Sequence, residues 1–314
     1  MDKFDFLIIG AGCAGASGGM YASRLNLKTA MIAEMPGGLI TTTHLVENWP
    51  GLKSVTGPDL GSSLVEHALA FGVKLQNEKV TGIEKVSLTA EDEKNGRKPG
   101  FMVSTASHQY LGKTLLFATG SKHKKLEAPG ESEFENKGVS YCALCDGAFY
   151  RGKIVAVVGS GDSAAKEALL LAQQAAKVYV ISRTSLHPEP VNLERVQENE
   201  KIELLSGAEV GEVYGDQKVK GLKLKDGRDL AVDGIFVAIG LIPHSELAAS
   251  LGVVLNDRKE IIINRNSETN IPGVFGAGDV CDSRFKQAIT GAAEAVTASF
   301  WAHEYLLKNQ VSLG

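Results

Sequence analysis

The sequence predicts an α/β fold of two Rossmann-like, three-layer nucleotide-binding domains, the second inserted in the first. Two glycine-rich loops, at 10–15 and 159–164, each lie between an apolar strand-like run and a helix-compatible one. Two similar apolar runs, 114–120 and 234–240, each end in glycine, continue into polar segments containing Pro129 and Pro243, and bracket the second loop. A chain of 314 residues also exceeds what one core comfortably serves. The expected division is therefore 1–120 with 241–314 as one discontinuous domain and 121–240 as the other.

The opening run 4–9 is almost wholly apolar, as a strand of a parallel sheet covered on both faces must be. The loop after it supplies Gly10 for a tight turn, Gly12 for close backbone approach to a pyrophosphate and Gly15 for helix–strand packing. Small residues from 16 to 25 suit the helix whose free amides face the phosphates. The next strand, 29–33, ends at Glu34, where a carboxylate accepts ribose hydroxyls and repels a 2′-phosphate, so this site suits FAD or NAD better than NADP. The turn-rich stretch 37–51 is too long for a simple connection and reads as a functional loop or a surface excursion. An amphipathic helix over 60–71 and alternating apolar residues over 73–83 follow, and the charged, glycine-containing stretch 91–100 reads as a hairpin tip.

The second loop repeats the pattern, with strand 153–158, Gly159, Gly161, Ser163 and Ala164 in the loop, and an alanine- and leucine-rich helix over 165–175. Ala164 is an accepted variant at the close-packing position. Strand 177–181 ends not in an acid but in Ser182-Arg183-Thr184, and Arg183 is the kind of cation that accommodates a 2′-phosphate. Toward the C-terminus, 270–279 is a short strand ending at Asp279, and a long helix begins at Lys286-Gln287-Ala288.

Between the first crossing and the second loop lies Tyr141-Cys142-Ala143-Leu144-Cys145-Asp146-Gly147. Cysteines two residues apart can close a disulfide within one turn and activate one another as thiolates. A structural zinc site would need a second ligand pair, and the other cysteines, Cys13 and Cys281, stand singly in glycine-rich motifs. Redox chemistry is the expectation, with zinc and inert core thiols as the alternatives and no metal site expected.

Composition bounds the partners. Hydrophobic residues at 44% and charged residues at 22% are ordinary for a globular enzyme, and a net charge of −4 gives no basic footprint for nucleic acid or an anionic membrane. The start of the chain lacks the pattern of a secretory signal, and no apolar run is long enough to span a bilayer. A CxxC that cycles rather than staying oxidised fits a reducing cytosol, so the protein is expected to be cytoplasmic.

Taken together, 10–15, the TTT and ENWPG of 41–51, 142–146, 159–164 and 270–288 resemble the low-molecular-weight thioredoxin reductase family over nearly the whole chain. The resemblance implies FAD in the discontinuous domain, a nicotinamide cofactor in the inserted one, thioredoxin or a thioredoxin-like protein as partner, and a homodimer. It implies that Cys145 lies next to the flavin, Cys142 attacks the external disulfide and Asp146 handles protons. Cofactor contacts are expected at Gly10, Gly12, Ala14, Gly15, Glu34, Gly38, Thr42, Asn48, Val80, Thr119 and Gly120. In the C-terminal part they fall on Asp279, Lys286, Gln287 and Ala288, and in the inserted domain on Gly159, Gly161, Ser163, Ala164, Arg183 and Gly240. The family's His-Arg-Arg run and a further downstream arginine are replaced here by Ser182-Arg183-Thr184 and Leu186-His187-Pro188. The resemblance implies NADPH as the donor, but two of the cations that would hold its 2′-phosphate are missing, which leaves NADH or ferredoxin as the alternatives. Cys13 takes the place of a proline, Leu39 that of a glutamine, and Lys286 that of an arginine, which keeps the charge but not the planar fork.

Overall fold

The computed structural model describes residues 1–43 and 45–314. The chain divides into two compact units, Met1–Lys122 with Ile242–Gly314, and His123–Leu241.

The first unit is built on a seven-stranded sheet. Lys74–Gln76, Thr29–Ile32, Asp2–Ile9 and Gln109–Phe117 lie side by side and parallel, with Phe6 opposite Thr29 and Ile9 opposite Phe117. The last of these strands divides one edge between two partners. Its start pairs antiparallel with Phe101–Thr105, and its end pairs parallel with Val274–Gly276, placing Gly276 opposite Phe117. That pairing brings Asp279, late in the chain, beside the loop that follows the first strand. Phe4, Phe6, Leu7 and Ile8 are each at most 1% exposed, the two-sided burial that a continuous apolar strand requires.

Helix Cys13–Arg24 packs against the long helix Ala288–Lys308 through small residues. Ser299 Oγ donates to the carbonyl of Gly18 at 2.8 Å, and a Cβ on Gly18 would meet that of Ala295 at 3.1 Å. The amphipathic helix expected over 60–71 spans Gly57–Ala70 and is capped by Thr56, whose Oγ1 accepts the Asp59 amide at 3.2 Å. The stretch 91–100 does connect two antiparallel neighbours, Val80–Lys85 and Phe101–Thr105, as expected of a hairpin tip, but it is not a bare turn. Its first half is the helix Ala90–Lys94, closed by reciprocal hydrogen bonds between Thr89 and Asp92. The charge density that suggested a turn is that of a short helix whose acidic first turn faces its own amides.

In the second unit, Ile202–Ser206, Lys177–Ser182, Ile154–Val158, Gly234–Val237 and Val139–Ser140 form a five-stranded parallel sheet, in that order. A three-stranded antiparallel sheet, Val210–Gly215, Val219–Leu224 and Asp229–Ala231, accompanies it. Helix Asp162–Ala172 follows Ile154–Val158, and the CxxC follows the edge strand Val139–Ser140. The second glycine loop, Arg183 and Cys142 thus all emerge from carboxyl ends of strands, where an open parallel sheet places its chemistry.

Gly15 provides a direct test of the packing. A Cβ there would lie 2.0 Å from the Gly10 carbonyl oxygen, whereas nothing stands within 4 Å of a Cβ on Gly82. Gly15→Ala is expected to lower stability by on the order of 2–4 kcal/mol in chemical denaturation, with Gly82→Ala nearly neutral.

Candidate active site

The first glycine loop closes on itself. Gly10 has φ +107°, and a Cβ on it would stand 2.3 Å from the Ala118 carbonyl oxygen, so the turn runs hard against the strand end carrying Thr119 and Gly120. Thr119 Oγ1 donates to the His244 carbonyl at 2.6 Å, and the His244 amide donates to that of Gly120 at 3.0 Å. Gly12 bridges to Gly37, whose amide donates to the Ala11 carbonyl at 2.9 Å. Gly38, at φ +69°, would carry a Cβ only 2.7 Å from Gly12 Cα. Two backbones therefore meet with no side chain between them.

The C-terminal elements converge on the same place. Ala14, in the first turn of Cys13–Arg24, and Gly291, in the first turn of Ala288–Lys308, both pack on Gly278, next to Asp279. Neither helix has a side-chain cap or an acidic residue in its first turn, so both present uncompensated amides. Asn48 Nδ2 donates to Gln287 Oε1 at 3.1 Å, tying the ENWPG loop to the start of the long helix. Thr42 Oγ1 donates to the Leu39 carbonyl at 2.8 Å within the 3₁₀ turn Gly38–Thr42. Glu34 is exposed at its strand end, 3.4 Å from the Lys79 ammonium. Val80 is buried at the start of Val80–Lys85, opposite Thr105 of the neighbouring strand. The residues present fit an FAD-sized dinucleotide, because two helix amino termini and a side-chain-free backbone cradle meet at one point.

Lys286 has a tighter role than its sequence position suggests. Its ammonium lies 2.9 Å from Glu260 Oε1 and donates to the carbonyls of Asp279, at 2.9 Å, and Cys281, so it braces the Asp279 turn. Both single cysteines are held as thiols. Burial pushes Cys13 up to about 12 and Cys281 well above its ordinary range.

The second loop has the same tightness. A Cβ on Gly159 would lie 2.5 Å from the Ala238 carbonyl oxygen and 2.9 Å from Ala164 Cβ, so Ala164 is accommodated only because its neighbour lacks a side chain. Nothing within 4 Å would meet a Cβ on Gly161, so the loop is open at that position. Asp162 opens the following helix, and its carboxylate accepts from Asn192 Nδ2 at 2.7 Å and from the Glu189 amide at 3.2 Å. The Lys166 ammonium, with these bonds, holds Asp162 below the usual carboxylate range. Ser163 and Arg183 are exposed, Ser182 Oγ turns inward to the Thr184 carbonyl at 2.7 Å, and the positive charge of Arg183 is felt at Glu209. Gly240 accepts the Lys124 amide at 3.0 Å.

Cys142 and Cys145 are joined by a disulfide with Cα atoms 5.3 Å apart. The helical turn Ala143–Asp146 begins inside it, and Cys142 Sγ receives the Cys145 amide at 3.2 Å. Ser140 Oγ donates to Asp146 Oδ2 at 2.6 Å and accepts the Cys142 amide at 3.1 Å, coupling the acid to the backbone of the first cysteine. Burial, then the charges of Asp146 and Asp233, push the Tyr150 phenol up to about 12, so it remains protonated beside Asp146. Among the described residues no group of three His, Cys, Asp or Glu gathers around a potential metal position.

Two contributors here were not singled out from the sequence. Ser140 was readable as a hydroxyl two residues before the first cysteine. Glu167 was not, because its spacing on the helix resembles any surface acid. Its Oε2 is inaccessible and unpartnered, and the other side of the carboxyl receives the Ala143 amide. Burial outweighs that bond and pushes Glu167 up to about 7.

Two Rossmann loops and a disulfide-forming cysteine pair define a pyridine nucleotide-linked flavin disulfide oxidoreductase. The chain belongs to the pyridine nucleotide-disulphide oxidoreductase family, whose model matches residues 4–295, and within it to the thioredoxin reductase type. It is 36% identical to the thioredoxin reductase of Listeria monocytogenes, covering 99% of this chain and 96% of that one. It is 35% identical to the Bacillus subtilis thioredoxin reductase, covering 99% and 97%. The thioredoxin reductase structure from Streptococcus pyogenes superposes with a TM-score of 0.88 at 33% identity, over 98% of this chain and 99% of that one. The protein is accordingly an FAD-dependent disulfide oxidoreductase.

A carboxyl raised by burial favours the fold while protonated and costs stability as pH rises from its unfolded value, near 4.5, through about 7. Glu167→Gln is therefore expected to match the parent near pH 4.5 and to exceed it at pH 8 by on the order of 3 kcal/mol, read from denaturant unfolding at the two pH values.

Proposed function

We propose that the protein is a cytoplasmic, homodimeric thioredoxin reductase that passes electrons from NADPH through FAD and the Cys142–Cys145 pair to thioredoxin or a thioredoxin-like protein. The observation that carries this reading is the disulfide closed over the turn Ala143–Asp146, with Asp146 linked through Ser140 to the Cys142 backbone. The similarity to thioredoxin reductases over nearly the full chain supports it.

In this reading the first unit holds FAD. The cradle of Gly10, Gly12, Gly15 and Gly38 and the first turns of the two long helices, with Ala14 and Ala288, would take the pyrophosphate; Glu34 would take the ribose. Thr42, Asn48, Thr119, Gly120, Asp279 and Gln287 would complete the site. Bound FAD supplies two-electron transfer between a nicotinamide and the disulfide. The second unit holds the nicotinamide cofactor at Gly159, Gly161, Ser163 and Ala164, with Arg183 as the cation for a 2′-phosphate.

The protein's own groups then handle sulfur and protons. The Cys142 thiolate attacks a sulfur of the partner's disulfide, forming a mixed disulfide and expelling a partner thiolate, which Asp146 protonates. Cys145 attacks Cys142, releasing the second partner thiol and restoring the internal disulfide. The Cys145 amide directed at Cys142 Sγ stabilises the charge on that sulfur while it is the attacking thiolate.

Purified protein should bleach rapidly on anaerobic addition of NADPH and support thioredoxin-dependent reduction of an aromatic disulfide. Arg183→Ala should raise KM for NADPH by about tenfold with kcat nearly unchanged, because only a charged contact to the phosphate is lost. Asp146→Asn should slow disulfide exchange by about 10²-fold while leaving nicotinamide-driven bleaching intact. Bleaching by reduced ferredoxin but not by NADPH would overturn the assigned donor, and full thioredoxin turnover by Cys145→Ser would overturn the pathway.

A further inference from the structure

The cysteine turn is served by a second acid that the pathway above does not use. Glu167 lies in the helix Asp162–Ala172, which packs beneath the turn Ala143–Asp146. The amino end of that turn offers its amides in two directions. The Cys145 amide goes to Cys142 Sγ, and the Ala143 amide goes to the Glu167 carboxyl. One cluster of donors therefore serves both the sulfur that becomes a thiolate and a carboxyl whose remaining oxygen is sealed from solvent and unpartnered.

No cation answers Glu167 among the described residues. On its own helix Lys166 is committed to Asp162, and Lys201 donates to the carbonyls of Ala172 and Ala175 at the opposite end. From the cysteine turn come Asp146, bonded to Ser140, and from the following turn Tyr150, a neutral phenol. Arg195 and Glu198, on the helix Pro190–Glu198, line a groove with Leu169 and Gln173, away from the face that carries Glu167.

We propose that Glu167 is a positioning residue for the redox pair: it takes up a proton when the Cys142–Cys145 bond is reduced and returns it when the bond re-forms. Reduction breaks that bond with two electrons from the donor chain and, with one proton, leaves a thiol and a thiolate. A further proton from solvent neutralises Glu167, so that the shared amides serve a single negative charge, on sulfur. Oxidation by the partner reverses each transfer. The proposal rests on the redox role assigned above and extends it.

The test uses the full chain, reduced anaerobically with dithiothreitol and desalted. Iodoacetamide alkylation of Cys142 is followed by peptide mass spectrometry from pH 5 to 10. The parent is expected to give a profile with two inflections, one from the carboxyl and one from the thiol. Glu167→Gln is expected to give one inflection, displaced to lower pH, with alkylation at pH 7 about three- to tenfold faster, because a carboxylate no longer opposes the thiolate. Glu167→Asp keeps a titrating group and should restore the second inflection, a result that loss of packing alone would not give. Superimposable profiles for the parent and Glu167→Gln, or for the parent and Glu167→Asp with only one inflection in each, would overturn the proposal. The assay needs neither nicotinamide nor thioredoxin. Differing profiles without thioredoxin turnover would remove the assigned partner and leave Glu167 in its role, whereas turnover with superimposable profiles would remove Glu167 alone.

Discussion

Both units depend on one steric constraint: a helix must begin directly over the end of a strand with no side chain between them. In the first unit Gly15 lies over the Gly10 carbonyl at a distance no Cβ tolerates, and Gly10 in turn lies against Ala118. In the second, Ala164 takes the corresponding place because Gly159 leaves it room. The close approach directs helix amides at the loop rather than at a side chain, which is what gives an anion somewhere to bind. The two loops differ in how much of that potential they leave open. Cys13–Arg24 has no acid in its first turn, whereas Asp162 occupies the first turn of its helix and is already neutralised by Lys166, Asn192 and the Glu189 amide.

The cysteine turn uses the same physics on a smaller scale. A four-residue helical turn directs one of its amides, that of Cys145, at the Cys142 sulfur, and Ser140 connects the acid at the far end to the backbone at the near end. Asp146 and Glu167 approach this turn through different donors, a hydroxyl in one case and a backbone amide in the other. Their surroundings differ: Glu167 keeps a buried oxygen with no hydrogen-bond partner, whereas Asp146 accepts from Ser140 Oγ.

Much of the parallel-sheet architecture was legible because buried strands leave an uninterrupted apolar signature, as in Phe6-Leu7-Ile8-Ile9 and Val155-Ala156-Val157-Val158. The glycine loops were legible because their spacing encodes a steric need. The helix Ala90–Lys94 was missed because its signal is a capping box in a charged stretch too short for apolar periodicity. In the site, the cysteines and Asp146 announced themselves by adjacency. Glu167 did not, since its significance arises only when another segment of the chain lays an amide against it. Lys286 was visible as a cation, but no local pattern signals that Glu260 and two carbonyls hold it.

Ser299 bonded to Gly18, and Gln287 bonded to Asn48, join stretches at opposite ends of the polypeptide within the first unit. During synthesis every residue of His123–Leu241 leaves the ribosome before either bond can form. The nascent amino-terminal strands must therefore wait, with one sheet flank bare, until the closing helix arrives. The interval leaves a transient apolar surface for chaperones to shield, and it makes the late arrival of Ala288–Lys308 the step that commits the first nucleotide cradle to its finished shape.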